Sequence, residues 1–188
     1  MYCLSIPPLK RPTSRGLTLI EILVVVAIVA IVSALAAPDL SALIKSNRVA
    51  GKINALNADI SFAKTEAIKR GVAVTLCASA DQLTCSPSSD LAQGWIVFAD
   101  PDENQAIGIG EAIIKVQDKL KGDDRIVLSE SQTTVSFNRN GYIYNLPSSG
   151  MQVIKVTTSD SDQRSQRCLT FQRIGQAKVT KGGEQTCA

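Results

Sequence analysis

The stretch "SRGLTLIEILVVVAIVAIVSALAAP", residues 14–38, decides how the rest of the chain is read. From Leu17 to Ala37 it runs 21 residues with one charge, Glu21. A helix of that length can cross the hydrocarbon core of a bilayer, which takes about 20 residues. A carboxylate inside such a run is costly, so Glu21 reads by default as a functional group. Lys10, Arg11 and Arg15 precede the run and no acid does. By the positive-inside rule they hold the amino end in the cytoplasm and leave the rest on the far side of the membrane.

Composition narrows the chemistry. The 188 residues contain no histidine, which removes the usual catalytic triads, histidine metal sites and the commonest general base. No acidic pair sits in a recognisable catalytic motif, so the chain reads as a non-enzyme with no cofactor and no metal. Outside the apolar run about 150 residues remain, enough for a real core. The net charge of +3 comes from the three basic residues before Gly16; the other 17 basic residues balance 17 acidic ones. Overall charge is therefore no argument for a nucleic-acid partner; only local charge can carry that case.

Five cysteines are present, Cys3 before the run and Cys77, Cys85, Cys168 and Cys187 after it. Their spacing resembles no zinc site. Four cysteines permit three pairings, and the local pairs Cys77–Cys85 and Cys168–Cys187 are preferred here; four buried thiols are the alternative. Disulfides fit an oxidising compartment.

Three readings compete for residues 1–38. A secretory signal peptide finds an A-x-A site at Ala34-Leu35-Ala36, but its apolar core is usually only ~7–15 residues. A plain membrane anchor is the second. The third is a leader cut before the run, between Gly16 and Leu17.

The residues "RGLTLIEILVVVAIVAIVSALAAP" resemble the class III signal of type IV pilins and type II secretion pseudopilins: a basic leader, Gly16, Thr18-Leu19-Ile20-Glu21, an apolar run and Pro38. Leu17 stands where phenylalanine is commoner. The resemblance implies cleavage between Gly16 and Leu17, N-methylation of Leu17, and a helix bend at Pro38. It also gives Glu21 a role in filament assembly, opposite the terminal amine of a neighbouring subunit. Leu17 and Glu21, four apart, would share a helix face. Two groups costly to bury alone become tolerable when paired in an apolar filament core.

Helical character continues past Pro38. Val49, Ile53, Leu56, Ile60, Ala63 and Ala67 form an a/d stripe. Lys45, Arg48, Lys52, Asn57, Asp59, Lys64 and Lys69 fall off it, and Gly71 is the expected stop. From Val72 the texture changes to nine short β-rich segments separated by turn signals. Asn140-Gly141 between "VSF" and "YIY" predicts a hairpin with a type I′ turn. The fold class is α+β, a long amino-terminal helix laid across antiparallel sheet.

"GWIVFADPDEN" and the later "VSFNRNG" narrow the resemblance to the minor pilin and pseudopilin H group, the GspH/FimT family, with Gly94, Trp95, Phe98, Asp100, Phe137 and Gly141 at its motif positions. Trp95 and Phe98 read as core. Two weaker patterns remain. Asp100, Asp102, Asn104 and Glu111 match positions 1, 3, 5 and 12 of an EF-hand loop, but Gln105 stands where glycine is needed, so a polar hairpin loop is preferred to calcium. Arg164, Arg167, Arg173, Lys178 and Lys181 give the carboxy-terminal segment a basic excess. Some FimT-type pilins bind DNA through a Gly-Arg-x-Arg element there. Here the matching stretch is Gly175-Gln176-Ala177-Lys178, and lysine lacks the guanidinium fork; a solvated rim is preferred.

The expected organisation is a prepilin leader over 1–16, a transmembrane and filament-core helix over 17–38, and a periplasmic pilin-like domain over 39–188. The resemblance implies a minor pilin-like subunit of a type IV pilus, anchored in the inner membrane by a single pass before assembly. Its partners would be the prepilin peptidase and N-methyltransferase, the inner-membrane assembly platform, and other minor and major pilins. The alternatives are a type II secretion minor pseudopilin H and a pilus-associated DNA-binding subunit for natural transformation.

Overall fold

The computed structural model describes residues 16–129, 132–160, 163, 165–183 and 187, except the side chains of 34–39. The leader with Cys3, Lys10, Arg11 and Arg15, and also Arg164, lie outside the described residues. The chain forms two compact units, Met1–Ser41 and Ala42–Ala188.

In the first unit the helix α1, which runs Leu19–Arg70, begins. Its apolar side chains are bare: Leu19, Ile20, Leu23, Val26, Val29 and Val32 are all exposed. Among the described residues no helix is long and apolar enough to cross a membrane. The described side chains of the apolar run stop at Ser33, and the remainder of the run, with Pro38 and its expected bend, lies outside them.

In the second unit α1 becomes one-sided. Val49, Ile53, Leu56, Ile60, Ala63 and Ala67 are each at most 1% exposed, as the a/d stripe predicts. Each large member contributes about 1.5–3 kcal/mol by leaving water. Gly71, at φ +68°, ends the helix and its N–H donates to the Ala67 carbonyl at 3.0 Å. Only a residue at ease in the left-handed region closes a helix this way.

Among the described residues eight strands follow: β1 (Val74–Ala78), β2 (Trp95–Ala99), β3 (Ile113–Gln117), β4 (Arg125–Leu128), β5 (Thr134–Phe137), β6 (Met151–Thr157), β7 (Arg167–Gln172) and β8 (Ala177–Lys181). They pair antiparallel into two four-stranded sheets, ordered β3-β2-β1-β5 and β4-β6-β7-β8. One core joins the α1 stripe to the inner residues of both sheets, among them Leu76, Trp95, Val97, Val135, Ile154, Leu169 and Phe171. The first sheet is also covered on its far face, where Cys77, Ile96 and Phe98 pack with Cys85, Ile107 and Ile113. Trp95 and Phe98 are therefore both core, on opposite faces of β2, as alternation requires.

Two expectations need correction. The sixth of the nine segments, "GYIYN", forms no strand; Ile143 makes an isolated bridge to Phe137 and donates its N–H to the Arg173 carbonyl. The Asn140-Gly141 turn is not type I′, which needs positive φ at both central residues. Gly141 has φ +76° and Asn140 does not lie in the positive region. Gly141 N–H donates to the Asn138 carbonyl, and Asn138 N–H to the Tyr142 carbonyl. This is a three-residue loop closed by a left-handed glycine. The Asn138 side chain favours it by accepting from the N–H groups of Asn140 and Tyr142 at 3.0 Å each.

Candidate functional site

The amino end of α1 is built by Thr18. Its carbonyl accepts from the N–H groups of Glu21 (3.1 Å) and Ile22 (3.3 Å), and its hydroxyl accepts from Glu21 N–H at 3.3 Å. Thr18-x-x-Glu21 is a capping-box pattern, a signal written in the sequence alongside the processing motif. Thr18 is the cap, so the helix starts at Leu19 and Leu17 stands just outside it. Leu17 and Glu21 consequently do not share a helical face in this state. Glu21 occupies the first turn, where the positive end of the helix dipole favours a carboxylate. Gly16, Leu17 and Glu21 are all exposed.

Within the second unit, polar ties fix the sheets to α1. Lys52 and Asp59 fall off the apolar stripe, yet both are buried. They are buried because each meets an opposite charge or donor from the sheets. Asp124, in the turn before β4, accepts from Arg48 Nε (2.8 Å), Arg48 Nη2 (2.7 Å) and Lys52 Nζ (2.7 Å). Burial alone would raise the Asp124 carboxyl. The hydrogen bonds from Arg48 and Lys52 outweigh it and hold the group below its ordinary value. The Arg48 guanidinium is raised in return, chiefly by the same bond. Asp59 accepts from the Trp95 indole at 2.9 Å and pairs with Lys115, whose ammonium lies 5.3 Å from the Phe62 ring centroid. Arg48 and Lys52, one turn apart, announce a shared face in the sequence. Nothing local announces that Asp124 will meet them.

Gly94 of the Gly-Trp motif is required by space. At φ +113°, a Cβ there would stand 2.7 Å from the Gln117 carbonyl oxygen and 2.9 Å from that of Ser79. Both disulfides have the local pairing, Cys77–Cys85 and Cys168–Cys187, with Cα separations of 5.6 and 5.5 Å.

Asp100, Asp102 and Glu111 do converge, with carboxylate oxygens within 4.8 Å of one another. The fully buried Asp100 is already saturated. It accepts from the Thr75 hydroxyl (2.7 Å), the Tyr144 hydroxyl (3.3 Å) and the N–H groups of Asn104 and Gln105 (3.1 Å each). Burial, then the Asp100 charge, pushes the Tyr144 phenol up to about 12. Gln105 adopts the left-handed turn, φ +63°, that a glycine would adopt more easily. The group acts as the organiser of a hairpin loop.

The described basic residues of the carboxy-terminal segment do not share one face. Arg167 pairs across strands with Lys181 on the core-side face and donates to Ser46 Oγ at 2.7 Å. Lys178 pairs with Thr170 and points to the opposite face. Arg173 lies in the β7–β8 connection, exposed.

The family model for the type II transport protein GspH matches residues 52–175. The chain belongs to the GspH family. A prokaryotic N-terminal methylation motif matches residues 11–37, which places Gly16, Leu17 and Glu21 of this GspH-family chain inside it. Among solved structures, the type IV minor pilin FimU of Pseudomonas aeruginosa PAO1 is similar in two crystal forms. The P21 form gives a TM-score of 0.57 and covers 76% of this chain and 96% of that one, at 16% identity. The P65 form gives 0.52, 72%, 96% and 16%. At that identity the likeness is one of fold. No curated protein matches the chain.

Proposed function

We propose that this GspH-family chain is a minor pilin-like subunit of a type IV pilus, cut between Gly16 and Leu17, methylated at Leu17 and held in the inner membrane until assembly. The observation that carries the proposal is the contrast within α1. Its second half buries every apolar stripe residue against its own head, while the apolar side chains of Leu19–Val32 stay exposed among the described residues. Such a surface needs lipid or other apolar helices around it. Glu21, in the first turn of the bare half, then meets the Leu17 amine of a neighbour, which cleavage leaves charged near neutral pH. The prepilin peptidase, the assembly platform and other pilins follow as partners, with the head in the periplasm.

A second reading, a minor pseudopilin of type II secretion, has the family description in its favour. Both readings share processing, fold and assembly. Dispersal of the basic residues over two faces favours no nucleic-acid reading. The test is amino-terminal sequencing and mass measurement of the mature protein. A start at methylated Leu17 supports the proposal; a start at Ala37 or Pro38 refutes it.

A further inference from the structure

The outer face of the second sheet carries a cleft of about 360 Å³. It is lined by Met151, Thr170, Gln172, Gln176, Ala177 and Lys178. The registers explain four of these six residues. Met151 pairs with Gln172, and Thr170 with Lys178, on the side of β6, β7 and β8 turned away from the core. Directly opposed side chains on neighbouring strands have Cβ atoms about 4.5–5.5 Å apart.

Two features mark it as more than a dimple. Thr170 is 7% exposed and its hydroxyl has no hydrogen-bond partner among the described residues. A buried hydroxyl left unpaired is costly, so the site gains by meeting an acceptor. Lys178, its cross-strand partner, is exposed and has no ion pair among the described residues. The outward positions of β6, β7 and β8 add Lys155 and contain no acid. The face is therefore positive, with an unpaired hydroxyl in the lining of its cleft.

We infer that this cleft receives an acidic side chain of an extended peptide segment from a partner protein. The carboxylate would sit between the Lys178 ammonium and the Thr170 hydroxyl, both donors. The amides of Gln172 and Gln176 can each donate and accept, which suits a peptide backbone. Nucleic acid fits less well. The cleft holds one cation, Lys181 points to the other face, and no aromatic side chain stands on these outward positions to stack a base. The inference is independent of how the amino terminus is processed.

The test uses the full chain in detergent micelles and fluorescence anisotropy. The probes are an acetylated hexapeptide of alternating threonine and glutamate, the same peptide with glutamine for glutamate, and a hexamer of deoxythymidine. The acidic peptide should bind, and the glutamine peptide should bind at least ~10-fold more weakly, as a lost charge-assisted hydrogen bond requires. Lys178→Ala should weaken the acidic peptide ~10-fold or more, and Thr170→Val about three- to tenfold. Lys181→Ala should leave it unchanged. Unchanged far-UV circular dichroism and melting temperature in each variant tie the loss to the cleft. Equal affinity for both peptides, tighter binding of the oligonucleotide, no binding of the acidic peptide, or indifference to Lys178→Ala would each overturn the inference.

Discussion

Replacing Asp124 by Asn should cost the head about 3 kcal/mol, and the structure says why the figure sits there. Asp124 is fully buried and accepts three charge-assisted hydrogen bonds. Arg48 is 43% exposed, so water takes over its share once the carboxylate is gone. Lys52 is only 9% exposed, and its remaining partner is the Lys121 carbonyl at 2.8 Å. An ammonium so placed is left largely uncompensated. Breaking a buried pair from one side costs about 3–5 kcal/mol, and the exposure of Arg48 argues for the lower end. For a domain of this size that is a fall in melting temperature of roughly 6–12 °C. Thermal unfolding followed by circular dichroism, on the detergent-solubilised chain, reads it. Adding Lys52→Met should recover part of the loss, because the orphaned charge goes with it. Acid gives a second reading. The folded Asp124 carboxyl lies below its unfolded value, so its contribution is complete above about pH 4 and is lost as pH falls through the folded value. The parent should therefore lose stability on acidification more steeply than the variant. An Asp124→Asn protein that melts within about 1 °C of the parent at pH 7 would refute the reasoning. So would a double variant less stable than the single one.

Further outcomes follow from single sites. Gly94→Ala should lower stability by about 3 kcal/mol or more in urea titrations, because the new Cβ meets backbone carbonyls that cannot step aside. Separating Cys168 from Cys187, 19 residues apart, by a Cys187→Ser change should cost about 3 kcal/mol, read as a shift in the same titration. Glu21→Ala should leave cleavage at Gly16 intact while reducing recovery of the protein in sheared filament fractions at least tenfold; normal recovery would remove the proposed pairing.

The helix stripe, its glycine stop, the strand-rich remainder and the local disulfides were legible because each is written in short-range pattern or spacing. Period and punctuation carry that information. The polar ties of the head were not. Lys52 and Asp59 look solvated on a helical wheel, because a wheel shows the face of one helix and not what the sheets bring to it. Asp124 reads only as a turn residue beside Asp123, and its partners lie 72 and 76 positions away. The type I′ turn failed for a smaller reason. Asn138 competes as a side-chain acceptor, and its two bonds draw the loop one residue longer. At the amino end, Thr18 was read as part of a processing signal, and its capping role moved the start of the helix past Leu17.

That last displacement bears on how the proposed pairing would work. With Thr18 as cap, the backbone N–H of Glu21 is occupied, while its carboxylate stands exposed in the first turn. Leu17 precedes the cap and is free of the helical register. A charged amine there has no fixed place beside its own Glu21, so nothing in the cap holds the two together. Both groups stay well hydrated while that end lies at a membrane surface. When neighbouring apolar helices close around them, water is withdrawn, and an unpaired carboxylate in that setting costs several kcal/mol. A neighbour's amine at the same depth relieves the cost; a helix displaced by even one turn does not. In the proposed pairing the charge would thus add little to attraction between subunits in water and much to their axial register once packed, a division of labour in which apolar area would drive assembly and one acid would set its stagger.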